Sequence, residues 1–131
     1  MVVDTSAIMA ILLGEPDAAR YARAIGAADV RLISAATVLE CSIVAIARFG
    51  NDATLAAWMA DHAFEVVAVD ATQVGLARDA FLRFGKGRHP AGLNYGDCFS
   101  YALAKTTNEP LLFKGNDFPL TDLTSALEAL Q

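Results

Sequence analysis

Four carboxylates, Asp4, Glu40, Asp97 and Asp117, are the residues of this chain best placed to do chemistry. Asp4 ends the apolar run Met1-Val2-Val3, and Glu40 interrupts a long apolar helical pattern. Asp97 opens another helix, and Asp117 lies in the turn Lys114-Gly115-Asn116-Asp117. Burying unpaired charge is costly, so acids in such settings call for a reason. If the four converge, each like-charged pair at roughly 5 Å repels by about 3 kcal/mol at an effective dielectric of about 20. Without a counter-charge at least one acid should then hold its proton. A divalent cation turns the repulsion into attraction, and oxygen donors suit Mg²⁺ or Mn²⁺. The chemistry implied is metal-assisted attack on a phosphate ester.

Each acid also has a humbler role available. Asp4 and Asp97 could cap the helices that follow them, and Asp117 could serve an Asx turn. Glu40 resists such an explanation. Thr37-x-x-Glu40 has the spacing of a capping box, but Ser34 is the better helix start, which leaves Glu40 inside the helix. Its helical neighbours are Ala36, Ile43, Val44 and Ala47, an apolar face on which a solvated glutamate is out of place. Asp70 is the contrast, because a capping box Asp70-Ala71-Thr72-Gln73 accounts for it without any function.

Around the acids stand candidate helpers. Thr5 and Ser6 follow Asp4 and could bond a carboxylate or a metal-bound water and so serve as substrate contacts, or merely open a helix. Asn94 and Asn116 lie beside acids, and Tyr101 sits one helical turn from Asp97 on the predicted same face. The segment Arg83–Pro90 is the only basic concentration in the sequence, and it leads straight to Asp97. Lys86, Arg88 and His89 are therefore expected to meet a phosphate backbone, with Lys114 and Asn116 adding contacts. His89 as a general base is the weaker reading.

The elements that must position these groups alternate between short apolar strands and helices. Strands are predicted at 1–4, 31–34, 65–69 and 111–113. Helices are predicted at about 6–13, 17–25, 34–48, 53–62, 70–84, from 96, and 123–130. Val74, Ala77, Phe81 and Phe84 form the expected buried stripe of the fifth helix. Such alternation argues for an α/β fold with a parallel sheet covered on both faces. Ligands of such sheets bind outside the carboxyl ends of the strands, where Asp4 and Asp117 both fall.

At 131 residues the chain is expected to form one domain. Its composition is 55% hydrophobic, above the usual share of about 45–50%. That surplus leaves apolar surface for a partner or an oligomer contact. The net charge of −5 gives no global signature of nucleic-acid binding. An acidic cluster neutralised by metal would still be compatible with it. Cys41 and Cys98 have no CxxC spacing and read as buried thiols of a reducing cytosol. No basic leader precedes an apolar stretch, and no apolar run approaches the ~18 residues of a membrane span. A cytoplasmic location is expected.

The opening Val2-Val3-Asp4-Thr5-Ser6-Ala7, the mid-chain Glu40, and the run Gly85-Lys86-Gly87-Arg88-His89-Pro90-Ala91-Gly92-Leu93-Asn94-Tyr95-Gly96-Asp97-Cys98 resemble the PIN-domain ribonucleases. Specifically, they are similar to VapC-type toxins of type II toxin–antitoxin pairs. Ser100-Tyr101-Ala102-Leu103-Ala104 and Leu112-Phe113-Lys114-Gly115-Asn116-Asp117-Phe118 carry the same likeness, so it spans essentially the whole chain. The N-terminal motif is short, whereas the segment around Asp97 is highly specific. The resemblance implies a three-layer α/β/α sandwich with a central parallel sheet and endonucleolytic cleavage of RNA. It also implies dependence on Mg²⁺ or Mn²⁺ and a homodimer neutralised by a VapB-type antitoxin. Asp4, Glu40, Asp97 and Asp117 fall on the family's acidic positions, with Asp4, Asp97 and Asp117 the expected metal ligands. Many similar proteins carry an acid where this one has Asn116, which favours one metal over two.

Two other classes compete. A phospho-acceptor or phosphatase domain could use Asp4 as nucleophile. A haloacid-dehalogenase-like enzyme would, however, want a second Asp where Ser6 stands, and a receiver would want a different acid and lysine pattern. A PIN-like scaffold could bind a partner without cutting, but a pure scaffold has no use for four mutually repelling acids.

Overall fold

A computed structural model describes residues 1–129. Four short strands, β1 (Val2–Val3), β2 (Leu32–Ser34), β3 (Glu65–Val67) and β4 (Leu111–Leu112), form one sheet in the order β3-β2-β1-β4. Every pairing is parallel, with Val2 opposite both Leu32 and Leu111 and Val3 opposite Leu112. The helices are α1 (Thr5–Leu12), α2 (Ala18–Ala27), α3 (Ala35–Phe49), α4 (Ala53–Asp61), α5 (Ala71–Phe84), α6 (Tyr95–Thr107) and α7 (Ala126–Ala129). A 3-10 turn covers Phe118–Leu120.

Strand side chains alternate between faces, and the core divides accordingly. Val3, Ile33 and Leu112 pack with α1–α4 residues such as Ile8, Ile25, Cys41 and Leu55. Their strand neighbours Val2, Leu32 and Leu111 pack with α5 and α6 through Ala80, Phe84, Leu103 and Tyr101. The sheet is thus buried on both sides, as the alternation of elements predicted, and the layers form the three-layer α/β/α sandwich that the resemblance implied. Only β3, at the edge, leaves Glu65 and Val66 exposed.

Local signals set the helix limits. Ser34 caps α3, its hydroxyl accepting from the Ala36 N–H at 3.3 Å, and Gly50 ends the helix in the left-handed region at φ 83°. Asp70 caps α5 by accepting from the Gln73 N–H at 2.9 Å. The expected capping box does not close, however. The Gln73 amide instead donates to the Ala68 carbonyl at 3.1 Å, which draws the side chain inward and leaves its Oε1 buried without a partner. The single cap still matters: Asp70→Ala should cost about 1 kcal/mol in a urea titration.

The predicted α5 stripe is half right. Ala77 and Phe84 are buried, but Val74 is 53% and Phe81 40% exposed. The inward face is Gln73, Ala77, Ala80 and Phe84, because small residues let α5 approach α6 closely. The final helix begins at Ala126 rather than at the expected 123, and Leu130 lies outside the described residues. Among the described residues, no helix is long and apolar enough to cross a membrane.

Candidate active site

The carboxyl ends of the parallel strands β1, β2 and β4 lie on one side of the sheet, and the segment after each carries one of the acids. Asp4 follows β1 and caps α1. Its side chain is 4% exposed and held at both oxygens. Ser6 donates to Oδ2 through its N–H at 3.0 Å and its hydroxyl at 2.7 Å, and Ser100 donates to Oδ1 at 2.6 Å. The Ser6 hydroxyl accepts in turn from the Lys114 N–H at 2.9 Å, which ties the β4 exit to Asp4. A carboxylate so enclosed is a poor nucleophile, which counts against the phospho-acceptor reading.

Glu40 projects from α3, and the Thr5 hydroxyl donates to its Oε1. Thr5 and Ser6, expected as substrate contacts, are thus spent on orienting acids. Asp97 sits in the first turn of α6, where it closes a true capping box. Its N–H donates to Asn94 Oδ1 at 2.9 Å, and its Oδ2 accepts from the Asn94 N–H at 3.0 Å. Asp117 stands on the exposed loop after β4, anchored by its buried neighbour Phe118, whose ring lies 5.3 Å from that of Phe113. Asn116 is exposed beside it.

Asp97 lies within the field of the other three acids. Burial pushes the Asp97 carboxyl up to about 6, against the Asn94 hydrogen bond, and the charges of Asp4, Asp117 and Glu40 all push it the same way. Among the described residues, no three His, Cys, Asp or Glu side chains are drawn tightly enough to enclose an ion. The arrangement is therefore an open set of carboxylates in which Asp97 feels the other three through their fields. Its donors are the hard oxygens that Mg²⁺ or Mn²⁺ prefers, and its strained charge is what a cation would relieve.

The basic loop leads along the chain to Asn94 and Asp97, its Lys86 N–H bonded to the Leu93 carbonyl at 2.9 Å. Lys86 and Arg88 are exposed, while His89 is half-buried, its Nδ1 accepting from the Ala91 N–H at 3.0 Å and its ring edge-on to Phe84 at 5.2 Å. That geometry makes His89 a brace of the loop. Lys114 departs from expectation. Its ammonium pairs with Glu15 and also with Asp17 at 3.0 Å, and these bonds hold its pKa well above the usual lysine value. A phosphate would have to compete with two carboxylates there. Tyr101 also departs. Its hydroxyl donates to Asp122 Oδ1 at 2.6 Å, and burial, aided by that bond, pushes the phenol up. Lys105 meets the same carboxylate at 2.8 Å, so this cluster latches the C-terminal segment to α6, apart from the acids.

Sequence reasoning missed Ser100 and, behind it, Thr37, whose Oγ1 lies 3.5 Å from Ser100 Oγ. The signal was present: Ser100 is a polar residue one turn after Asp97, among Phe99, Tyr101 and Ala102. Cys41 and Cys98 are free and buried, as expected, and burial pushes the Cys41 thiol up to about 12.

A parallel α/β/α sandwich with acids gathered at its strand ends is an arrangement suited to metal-assisted phosphate-ester chemistry. A family model described as the PIN domain matches residues 1–123. The chain is 52% identical over 127 residues to "Ribonuclease VapC30" of Mycobacterium tuberculosis, covering 95% of this chain and 97% of that protein. It is 53% identical to "Ribonuclease VapC" of Mycolicibacterium smegmatis, with 95% and 98% covered. The fold is also that of Mycobacterium tuberculosis VapC20, described as a sarcin-ricin loop cleaving toxin, at a TM-score of 0.73 and 21% identity over 94% of this chain and 95% of that one. A toxin–antitoxin complex from Klebsiella pneumoniae gives a TM-score of 0.70 at 17% identity, over 92% of each chain. This chain belongs to the PIN-domain family, as a VapC-type member.

Proposed function

We propose that the protein is a Mg²⁺- or Mn²⁺-dependent endoribonuclease, the toxin of a toxin–antitoxin pair silenced by a VapB-type antitoxin. The observation that carries this reading is the build of the acidic set: Asp4 is buried with both oxygens bonded by Ser6 and Ser100, and Ser100 shares α6 with Asp97, which Asn94 fixes. Asp4, Asp97 and Asp117 would hold the cation, with Glu40 beside them. When bound, the cation activates water and offsets charge developing on the phosphodiester. The chain's own residues supply the rest. Ser6 and Ser100 fix both oxygens of Asp4, Thr5 orients Glu40, and Asn94 fixes Asp97 at the start of α6.

Lys86 and Arg88 are exposed on the loop that leads to Asp97 and suit the backbone of an RNA strand. In an Asp97→Asn background that leaves RNA intact, neutralising both as Lys86→Gln and Arg88→Gln should weaken RNA binding. The slope of log affinity against log salt should fall by about 1.5. An unchanged slope, measured by filter binding, would remove this loop from the interface.

Exposed Leu39, Ile43, Ile46 and Phe49 on α3, and Val74 and Phe81 on α5, support a homodimer and an antitoxin surface. Two free, buried cysteines accord with a reducing cytoplasm. The direct test is cleavage of labelled total tRNA and a structured mRNA with Mn²⁺, with Mg²⁺ and with EDTA. Cutting that needs metal supports the reading. A folded protein that binds metal and cuts nothing would favour a non-catalytic scaffold.

A further inference from the structure

Gly96 occupies the second position of α6, and nothing in that helix calls for glycine. Its backbone lies outside the left-handed region, so an L residue fits there conformationally, and alanine is the better helix former. The space around it tells a different story. A Cβ on Gly96 would overlap Glu40 Oε2 and lie 2.9 Å from Glu40 Cδ and 3.1 Å from Oε1. On its other side the same carboxylate accepts from Thr5. Glu40 is therefore seated between a hydroxyl from the start of α1 and the bare backbone of the first turn of α6, one residue from Asp97. The positive end of α6 favours a carboxylate there.

Building on the ribonuclease reading, we infer that Gly96 is a positioning residue: its missing side chain admits the Glu40 carboxylate and keeps it aimed at the other three acids. The clash that a Cβ creates is with the far end of a flexible side chain, not with backbone. A groove between α3 and α6, lined by Ile43, Val44, Tyr95 and Phe99, opens beside Glu40 to receive it. A methyl group at position 96 thus moves Glu40 rather than unfolding α6. Function and stability should separate at this position.

The test is a double-mutant cycle of Gly96→Ala with Glu40→Asp, whose shorter side chain withdraws the carboxylate from position 96. Gly96→Ala should be at least as stable as wild type in metal-free urea titrations. It should show a smaller Mn²⁺-induced rise in melting temperature and lose about 10- to 100-fold in cleavage. In the Glu40→Asp background the same change should alter cleavage by less than about threefold, because the seat is already empty. Equal losses in both backgrounds, wild-type cleavage by Gly96→Ala, or a less stable Gly96→Ala protein would each overturn the inference. A wild type that neither cuts RNA nor responds to Mn²⁺ would sink the ribonuclease reading alone. The seat is then judged on a crystal structure of Gly96→Ala, where a Glu40 still bonded to Thr5 would refute it.

Discussion

Asp97→Asn is expected to lower RNA cleavage by about a thousandfold or more while making the metal-free protein more stable. The first half follows from removing a carboxylate from the proposed cation site, where the ion would be worth several kcal/mol, since about 4 kcal/mol corresponds to that factor in rate. The second half follows from linkage. An ordinary aspartate titrates near 3.8, and in the folded chain Asp97 titrates at about 6, mainly because it is buried and then because of its acidic neighbours. Between these values the folded state binds more protons than the unfolded state. Stability therefore falls as pH rises through that window, and above about 6 the whole penalty is present. The full difference corresponds to about 3 kcal/mol, and water screening of this partly exposed carboxylate reduces it to about 1–2 kcal/mol. An asparagine avoids the penalty and can still accept the Asn94 N–H through its own Oδ1. Urea titrations at about pH 8 in EDTA should show that gain, shrinking as pH falls from 6 toward 4. Loss of cleavage together with loss of metal-free stability would mean that Asp97 holds the fold rather than the charge.

Ser100→Ala should have the next largest effect. Ser100 is fully buried, and its hydroxyl gives Asp4 Oδ1 a bond of 2.6 Å. Without it a buried carboxylate loses a donor, at about 2–3 kcal/mol. Asp4 also loses the contact that links it to the helix carrying Asp97, and cleavage should fall about 10- to 100-fold. Thr37→Val is the comparator. At 3.5 Å from Ser100 its hydroxyl sits at the weak limit of hydrogen bonding, and its removal should cost less than about 1 kcal/mol. If Thr37→Val proved as damaging as Ser100→Ala, the order of importance drawn from these distances would be wrong.

The layers and the gathering of acids at the strand ends were legible in the sequence because they rest on periodicity. Apolar runs ending in Asp4 and Ser34, and the Leu111-Leu112 pair, alternate with helices as parallel strands buried on both faces do, and parallel topology brings their ends to one side. Glu40 was legible because its helical neighbours are apolar. What escaped were facts that depend on how two elements meet. The α5 stripe misled because Val74 and Phe81 outweigh Ala77 and Ala80 in hydropathy, whereas close approach to α6 selects for small size. Tyr101 shares α6 with Asp97, but four residues along a helix turn a side chain onward by about 40°, and Asp122, distant in sequence, claims its hydroxyl. Lys114 looked like a free cation because Glu15 and Asp17, about a hundred residues earlier, carried no visible tie to it. Gly96 read as a helix opening, since an absent side chain declares its purpose only against its neighbour.

The central claim is that the four carboxylates act as one cation site. Calorimetric titration of Mn²⁺ into the wild-type protein and Asp97→Asn, at about pH 8 and again at about pH 5, tests it most directly. Saturable binding at the higher pH is expected, weakened at the lower pH as Asp97 takes up its proton, and weakened by Asp97→Asn at the higher pH. A folded wild type that binds no Mn²⁺, or binding that neither the substitution nor the pH alters, would contradict the claim.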